Sequence, residues 1–265
     1  MQLKRWLTAL SLIPILILVI GYGSEPIFFG LVLVTTILAI NEFYSLVLPE
    51  NLKKEKVVGI LLGSLLAYII FRGEPPLILG TLTFIVLFML VFFLLSFQDL
   101  KSAVPSFGKL LTGIFYVGLL FSHLILIREM PFGKQWVFFA LTVTFLGDTA
   151  AYYGGSSLGK NRLYPKISPG KTIEGSIFGI IGNIVGAFIF TKYFFCELEM
   201  YHCLILALGI GIMGQAGDLC ESMIKRSVLV KDSGGLLPGH GGILDRIDSI
   251  LFAAPFLYYY IIFVL

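Results

Sequence analysis

Long apolar blocks separated by short polar stretches run along the whole chain. They fall near residues 6–22, 26–48, 57–71, 76–96, 108–127, 136–153, 173–195, 202–219 and 247–264. Most approach the roughly 20 residues that a helix needs to cross a hydrocarbon core. The short alternating segments of a transmembrane β-barrel are not seen. The pattern predicts an all-α polytopic membrane protein with about nine transmembrane helices.

The first block follows Lys4-Arg5 and has the look of a signal peptide. No small-residue cleavage site follows it and a second apolar block starts at Pro26, so it reads as the first span. Composition agrees with a membrane protein: 57% of the 265 residues are hydrophobic and 13% charged, against roughly 45–50% and about 25% in soluble domains.

Charge then orients the spans. Of 19 basic residues, only Arg72, Arg128, Lys134 and Lys192 fall on one side of a nine-span arrangement, and the rest fall on the other. The positive-inside rule therefore predicts a cytoplasmic N-terminus and an external C-terminus. The net charge of +3 is too small and too scattered to argue for nucleic acid. Attraction to anionic lipid heads accounts for Lys53, Lys54 and Lys56. Three cysteines without a CxxC pair indicate neither a metal cage nor a disulfide framework.

The chain divides by character. Residues 1–105 hold about four nearly pure aliphatic and aromatic spans, with Glu42 the only acid well inside one, and read as scaffold. Residues 106–265 read as the catalytic region, with cytoplasmic loops at 154–172 and 220–246. Its later helices carry Gly175-xxx-Gly179, Gly182-xxx-Gly186 and the group Gly209, Gly211, Gly214 and Gly217. Small residues of this kind let helices approach closely in lipid.

Acids in membrane helices are costly and mark cavities or partners. Asp148 and Asp218 are two, both toward the cytoplasmic ends of their spans, at the depth of lipid headgroups. If the eighth helix continues inward, Asp218, Glu221, Ser222 and Lys225 share one face. A segment from Lys231 to Gly242 follows, too rich in glycine and proline for helix, whose N–H groups could cradle an anion. Asp245 and Asp248 then stand i, i+3 at the start of the last span. Mg²⁺ takes oxygen ligands, usually one or two carboxylates with water and substrate phosphate, and Asp218 and Asp245 could supply them. One cation or a pair would neutralise a triphosphate, with Arg and Lys on the outlying oxygens. The earlier polar loop adds Lys160, Arg162, Lys166, Ser168, Lys171, Thr172 and Glu174.

An ion-coupled transporter with a polar site near the cytoplasmic face is the alternative these features allow, since carriers also combine glycine-broken helices with membrane acids. A carrier would carry acids near the bilayer centre and symmetry between its halves. Here the charged groups gather at one face.

The run Ser222-Met-Ile-Lys225-Arg226-x4-Lys231-Asp232-x3-Leu-x2-Gly-His240-Gly241-Gly242-x2-Asp245-Arg246-x-Asp248 resembles the signature of the phosphatidate cytidylyltransferase family. The segment Ile167-Ser168-Pro169-x-Lys171-Thr-x-Glu174-Gly175 resembles that family's other common stretch, with Gly170 where a lysine is frequent. The specific likeness covers roughly residues 145–250. It implies transfer of a cytidylyl group from CTP to phosphatidate, giving CDP-diacylglycerol and pyrophosphate, with Mg²⁺, in a homodimer of the cytoplasmic membrane.

On that likeness the catalytic set is Asp218, Asp245, Lys225, Arg246 and Asp248. Asp218 and Asp245 would hold the metal, and Asp248 would ligate it or orient Arg246. Lys225, Arg226 and Arg246 would clamp phosphates, and Ser168 and Lys171 would close over the headgroup or triphosphate. Lys166, Ser222, Lys231, His240, Gly241 and Gly242 complete the expected substrate contacts. Asp148, Glu174 and Glu221 would support these groups from behind.

Overall fold

The computed structural model describes residues 13–96, 100–236 and 241–265. These are helical apart from one small hairpin and the connecting turns. The helices are α1 (Ile13–Tyr22), α2 (Glu25–Val47), α3 (Lys53–Arg72), α4 (Pro75–Ser96), α5 (Leu100–Gly113), α6 (Leu120–Glu129), α7 (Gly133–Leu158), α8 (Ile173–Phe194), α9 (Met200–Ser227) and α10 (Leu244–Val264). A π-helical turn, Ile114–Leu119, joins α5 to α6 in one run. Part of the expected first span, residues 6–12, lies outside the described residues.

Among the described residues six helices are long and apolar enough to cross a membrane: α2, α4, the run Leu100–Glu129, α8, α9 and α10. Helices α3 and α7 have the length, at 20 and 26 residues. The first opens on Lys-Lys-Glu-Lys and the second carries Asp148 and a run of hydroxyl and glycine residues, which lowers their apolarity. Along α4 only 17% of the most apolar window is buried. Ile85, Met89 and Phe93 are buried, while Leu79, Phe84, Leu87, Leu90 and Leu94 face outward, as lipid-facing side chains do.

The described residues form two compact units. One holds the chain up to Leu126 together with Ser233–Leu244; the other holds Ile127–Asp232 and Asp245–Leu265.

In the first unit α2 packs on α3 and on the run from α5. Tyr44 is fully buried and donates its hydroxyl to the Leu110 carbonyl at 2.7 Å. Its ring lies over Gly59 and Gly113, where an added Cβ would strike it. Glu42, two residues earlier on α2, is also buried and accepts from the Ser233 hydroxyl and the Leu244 N–H.

The second unit is built on α7 packed along α8, with α9 against both. Of the glycines expected to pack helices, Gly182 lies against Ala150 and Leu146 and Gly217 against the Asp248 backbone; Gly154, not among those expected, lies against Phe178. Asn183, buried on α8, fits its amide between Gly147 of α7 and Gly211 of α9. Such close approach is the means of helix association in lipid, where apolar burial offers little drive.

The hairpin was not legible in the sequence. Helix α7 runs five residues past its expected end to Leu158, and the rest of the expected 154–172 loop folds as β1 (Arg162–Tyr164) and β2 (Ser168–Thr172). The strands are antiparallel, pairing Arg162 with Thr172 and Tyr164 with Ser168. The Ile167 N–H donates to the Tyr164 carbonyl at 3.2 Å, closing a turn with Pro165 in its second position, where proline's fixed φ is favoured.

Candidate active site

Helix α9 does continue past the apolar block, to Ser227, so Asp218, Glu221, Ser222 and Lys225 share one face. Its backbone then turns through Leu229, whose φ is 60°, while the Lys225 carbonyl accepts from the Val228 and Val230 N–H groups. That ending sends the chain off the helix axis just after the charged turn.

Helix α8 begins where Thr172, at the end of β2, accepts the Gly175 N–H at 3.0 Å, a hydroxyl cap on an otherwise unpaired helix N–H. Glu174 in the same turn accepts from the Lys160 N–H at 3.1 Å and from the Asn161 side chain at 2.8 Å. The hairpin is thus tied at its base. A further tie is Arg226, which donates to the Ile167 carbonyl at 3.2 Å and to the Val230 carbonyl at 2.9 Å.

These elements bring the expected acids together. Lys171 of β2 forms an ion pair with Asp218, and both side chains are about one-third exposed. Lys225 pairs with Glu221, one turn earlier, and with Asp245 at 2.6 Å. Asp148 interacts with Asp218, Lys171 and Arg246 and with the Ser249 hydroxyl. Asp248, which accepts its neighbour's N–H at 2.8 Å, interacts with Asp218, Asp148 and Lys225. Five carboxylates therefore face three cations, a formal excess of two negative charges. Ser222 is 3.5 Å from Asp218, at the limit of a hydrogen bond. A cavity of about 10 Å³, lined by Thr144, Asp148, Asn183 and Gln215 among others, adjoins the cluster at Asp148.

A family model described as the cytidylyltransferase family matches residues 3–264. The chain belongs to that family.

Its relatives include the phosphatidate cytidylyltransferase of Bacillus subtilis (strain 168), 44% identical over 153 residues that make up 57% of each chain. The Staphylococcus saprophyticus protein of the same name is 41% identical over 169 residues, 63% of this chain and 64% of that one. That of Staphylococcus haemolyticus is 34% identical over 256 residues, 96% of both. The matched stretch thus spans less than two thirds of the first two relatives and nearly all of the third. The transporter alternative finds no support, since the matched family and these relatives are cytidylyltransferases.

In this member of the cytidylyltransferase family the remaining expected residues are placed as follows. Lys166 is exposed in the hairpin turn, Ser168 is half-buried at the start of β2, and Lys231 is exposed after α9. Gly241, with φ 80°, and buried Gly242 belong to the first unit. His240 lies outside the described residues. Sequence reasoning missed Ser249, whose hydroxyl meets Asp148, and Gln215, which exchanges hydrogen bonds with Ser176. Ser249 had a signal: it stands one turn beyond Asp245.

Proposed function

We propose that this chain is a phosphatidate cytidylyltransferase, transferring CMP from CTP to phosphatidate and releasing pyrophosphate, and so serving phospholipid biosynthesis. The observation that carries the reading is the acid-rich cluster around Asp218 and Asp245. The relative matched over 96% of its length bears that activity as its name.

The donor set fits a hard cation. The cluster has an excess of carboxylate oxygens, and two carboxylates suffice for Mg²⁺, which draws its other ligands from water and substrate phosphate. No group of three or more His, Cys, Asp or Glu among the described residues is arranged to hold a metal by itself. Asp218 and Asp245 would hold Mg²⁺, alone or as one of two cations. Bound there, it would offset charge on the nucleotide phosphates.

The chain's own groups do the rest. A phosphate monoester, with its second pKa at about 6, is mostly ionised at neutral pH, so the phosphatidate oxygen can attack the α-phosphorus of CTP without a strong base. Lys225 and Arg246 supply cations for phosphate oxygens, and Lys171 and Ser168 bring the hairpin over the headgroup or triphosphate. Arg226 and Glu174 hold the hairpin through backbone contacts. Asp148 and Glu221 keep Lys171, Arg246 and Lys225 in register.

The reading includes nine spans with the N-terminus and the active site at the cytoplasmic side of the cell membrane. It also includes a scaffold in residues 1–105, a catalytic region in 106–265, and a homodimer. The deciding experiment incubates purified protein with CTP, phosphatidate and Mg²⁺. CDP-diacylglycerol and pyrophosphate should form in equal amounts, and no product above a metal-free control would overturn the reading.

A further inference from the structure

We propose that Glu42 is a positioning residue for this reaction, clamping the two ends of the glycine-rich segment Ser233–Leu244 onto one carboxylate. The inference rests on the cytidylyltransferase reading only in so far as it names the reaction.

A single oxygen of Glu42, Oε2, accepts from the Ser233 hydroxyl at 3.1 Å and from the Leu244 N–H at 3.0 Å. These partners lie 191 and 202 residues away in sequence, at the two ends of the segment. The carboxylate is only 7% exposed, and an acid in an apolar helix is costly to place without a task.

The glycines of the segment explain themselves against this carboxylate. A Cβ at Gly234 would come 2.7 Å from Glu42 Oε1, and one at Gly242 would strike Oε2 and the Ser233 hydroxyl. At Gly235, by contrast, a Cβ meets nothing within 4 Å. Glycine is thus required at Gly234 and Gly242, where the backbone approaches Glu42, and not at Gly235.

The bond to Leu244 has a second effect. Leu244 is the first residue of α10, and the first N–H groups of a helix have no partner within it. A carboxylate there satisfies one of them and suits the positive end of the helix. The cap is supplied from α2 and fixes the backbone one residue before Asp245.

The test uses the full chain in detergent with Cys196→Ser, Cys220→Ala and Gly235→Cys, and reads the rate of maleimide labelling beside CMP transfer. Glu42→Ala should raise labelling and lower kcat each by about tenfold, the scale of losing a charge-assisted hydrogen bond, with little change in KM for CTP. Glu42→Gln keeps an acceptor oxygen and should restore both toward the parent. Ser233→Ala, which keeps the Leu244 bond, should fall between and serves if Glu42→Ala does not fold. Unchanged labelling in Glu42→Ala, or in Ser233→Ala where that variant stands in, overturns the proposal, as does equal loss in the Gln variant. If the parent makes no CDP-diacylglycerol, the functional reading fails and labelling alone decides the clamp.

Discussion

Lys225 Nζ lies 2.6 Å from Asp245 Oδ1, so the cation near the end of α9 is bound to the acid at the start of α10. The same ammonium pairs with Glu221, whose side chain is completely buried. This ion pair, with the hydrogen bond it carries, is what offsets the burial of Glu221.

Lys225→Met therefore strands two carboxylates. Removing one partner of a buried pair costs about 3–5 kcal/mol, and the thermal midpoint of the detergent-solubilised protein should drop accordingly. Adding Glu221→Gln should recover part of the loss, because one stranded charge is then gone. A Lys225→Met midpoint equal to the parent's would show that Glu221 is uncharged in the folded protein.

Asp218 presents the opposite balance. Its pair with Lys171 is about one-third exposed, and exposed pairs contribute about 0–1 kcal/mol. Asp218→Asn should leave the thermal midpoint almost unchanged. CMP transfer should fall by about 100-fold, the size of losing one preorganised electrostatic contact to the reacting group. Chelation with EDTA should abolish transfer in the parent, and excess Mg²⁺ should restore it. Full activity in EDTA would remove the metal role from Asp218 and Asp245 together.

The hairpin should behave as a separately tethered cover. Thr172→Ala removes the cap on α8, worth about 1 kcal/mol. Glu174→Ala frees the backbone and side-chain N–H groups at Lys160 and Asn161. Both should speed tryptic cleavage after Arg162 and Lys166, and both should raise KM for CTP more than they lower kcat. Equal cleavage rates in parent and variants would separate the hairpin's order from these two ties.

What could be read in advance followed from how far each signal reaches along the chain. Apolar blocks long enough to span lipid placed α2, α4 and α8 within a residue or two of their observed ends, because one local property decides them. Helix ends were less legible. Hydropathy falls where α7 and α9 leave the apolar zone, yet backbone hydrogen bonding carries them on to Leu158 and Ser227. The short strands at 162–164 and 168–172 carry no period that three and five residues could display. Helical spacing foretold the shared face of Asp218, Glu221, Ser222 and Lys225. Glu42 could be noticed as an unusual acid, but its partners lie across nearly the whole chain and no local pattern names them.

Asn183 offers the sharpest test of packing. Its side chain is 3% exposed, pressed between Gly147 and Gly211. Gly147→Ala would drive a Cβ onto Asn183 Oδ1, and Gly211→Ala would drive one onto Nδ2. Overpacking of this kind costs about 1–3 kcal/mol, which should appear as a lower thermal midpoint for each. At Gly80 in α4 a Cβ meets nothing within 4 Å, so Gly80→Ala should instead gain about 0.5–1 kcal/mol from helix propensity. The same substitution therefore changes sign with its neighbour. Combining Gly147→Ala with Asn183→Ala should cost less than the two single changes added, since the second removes the group the first collides with. Strict additivity would mean that the two helices relax apart at this point and that the Asn183 amide does not set their spacing.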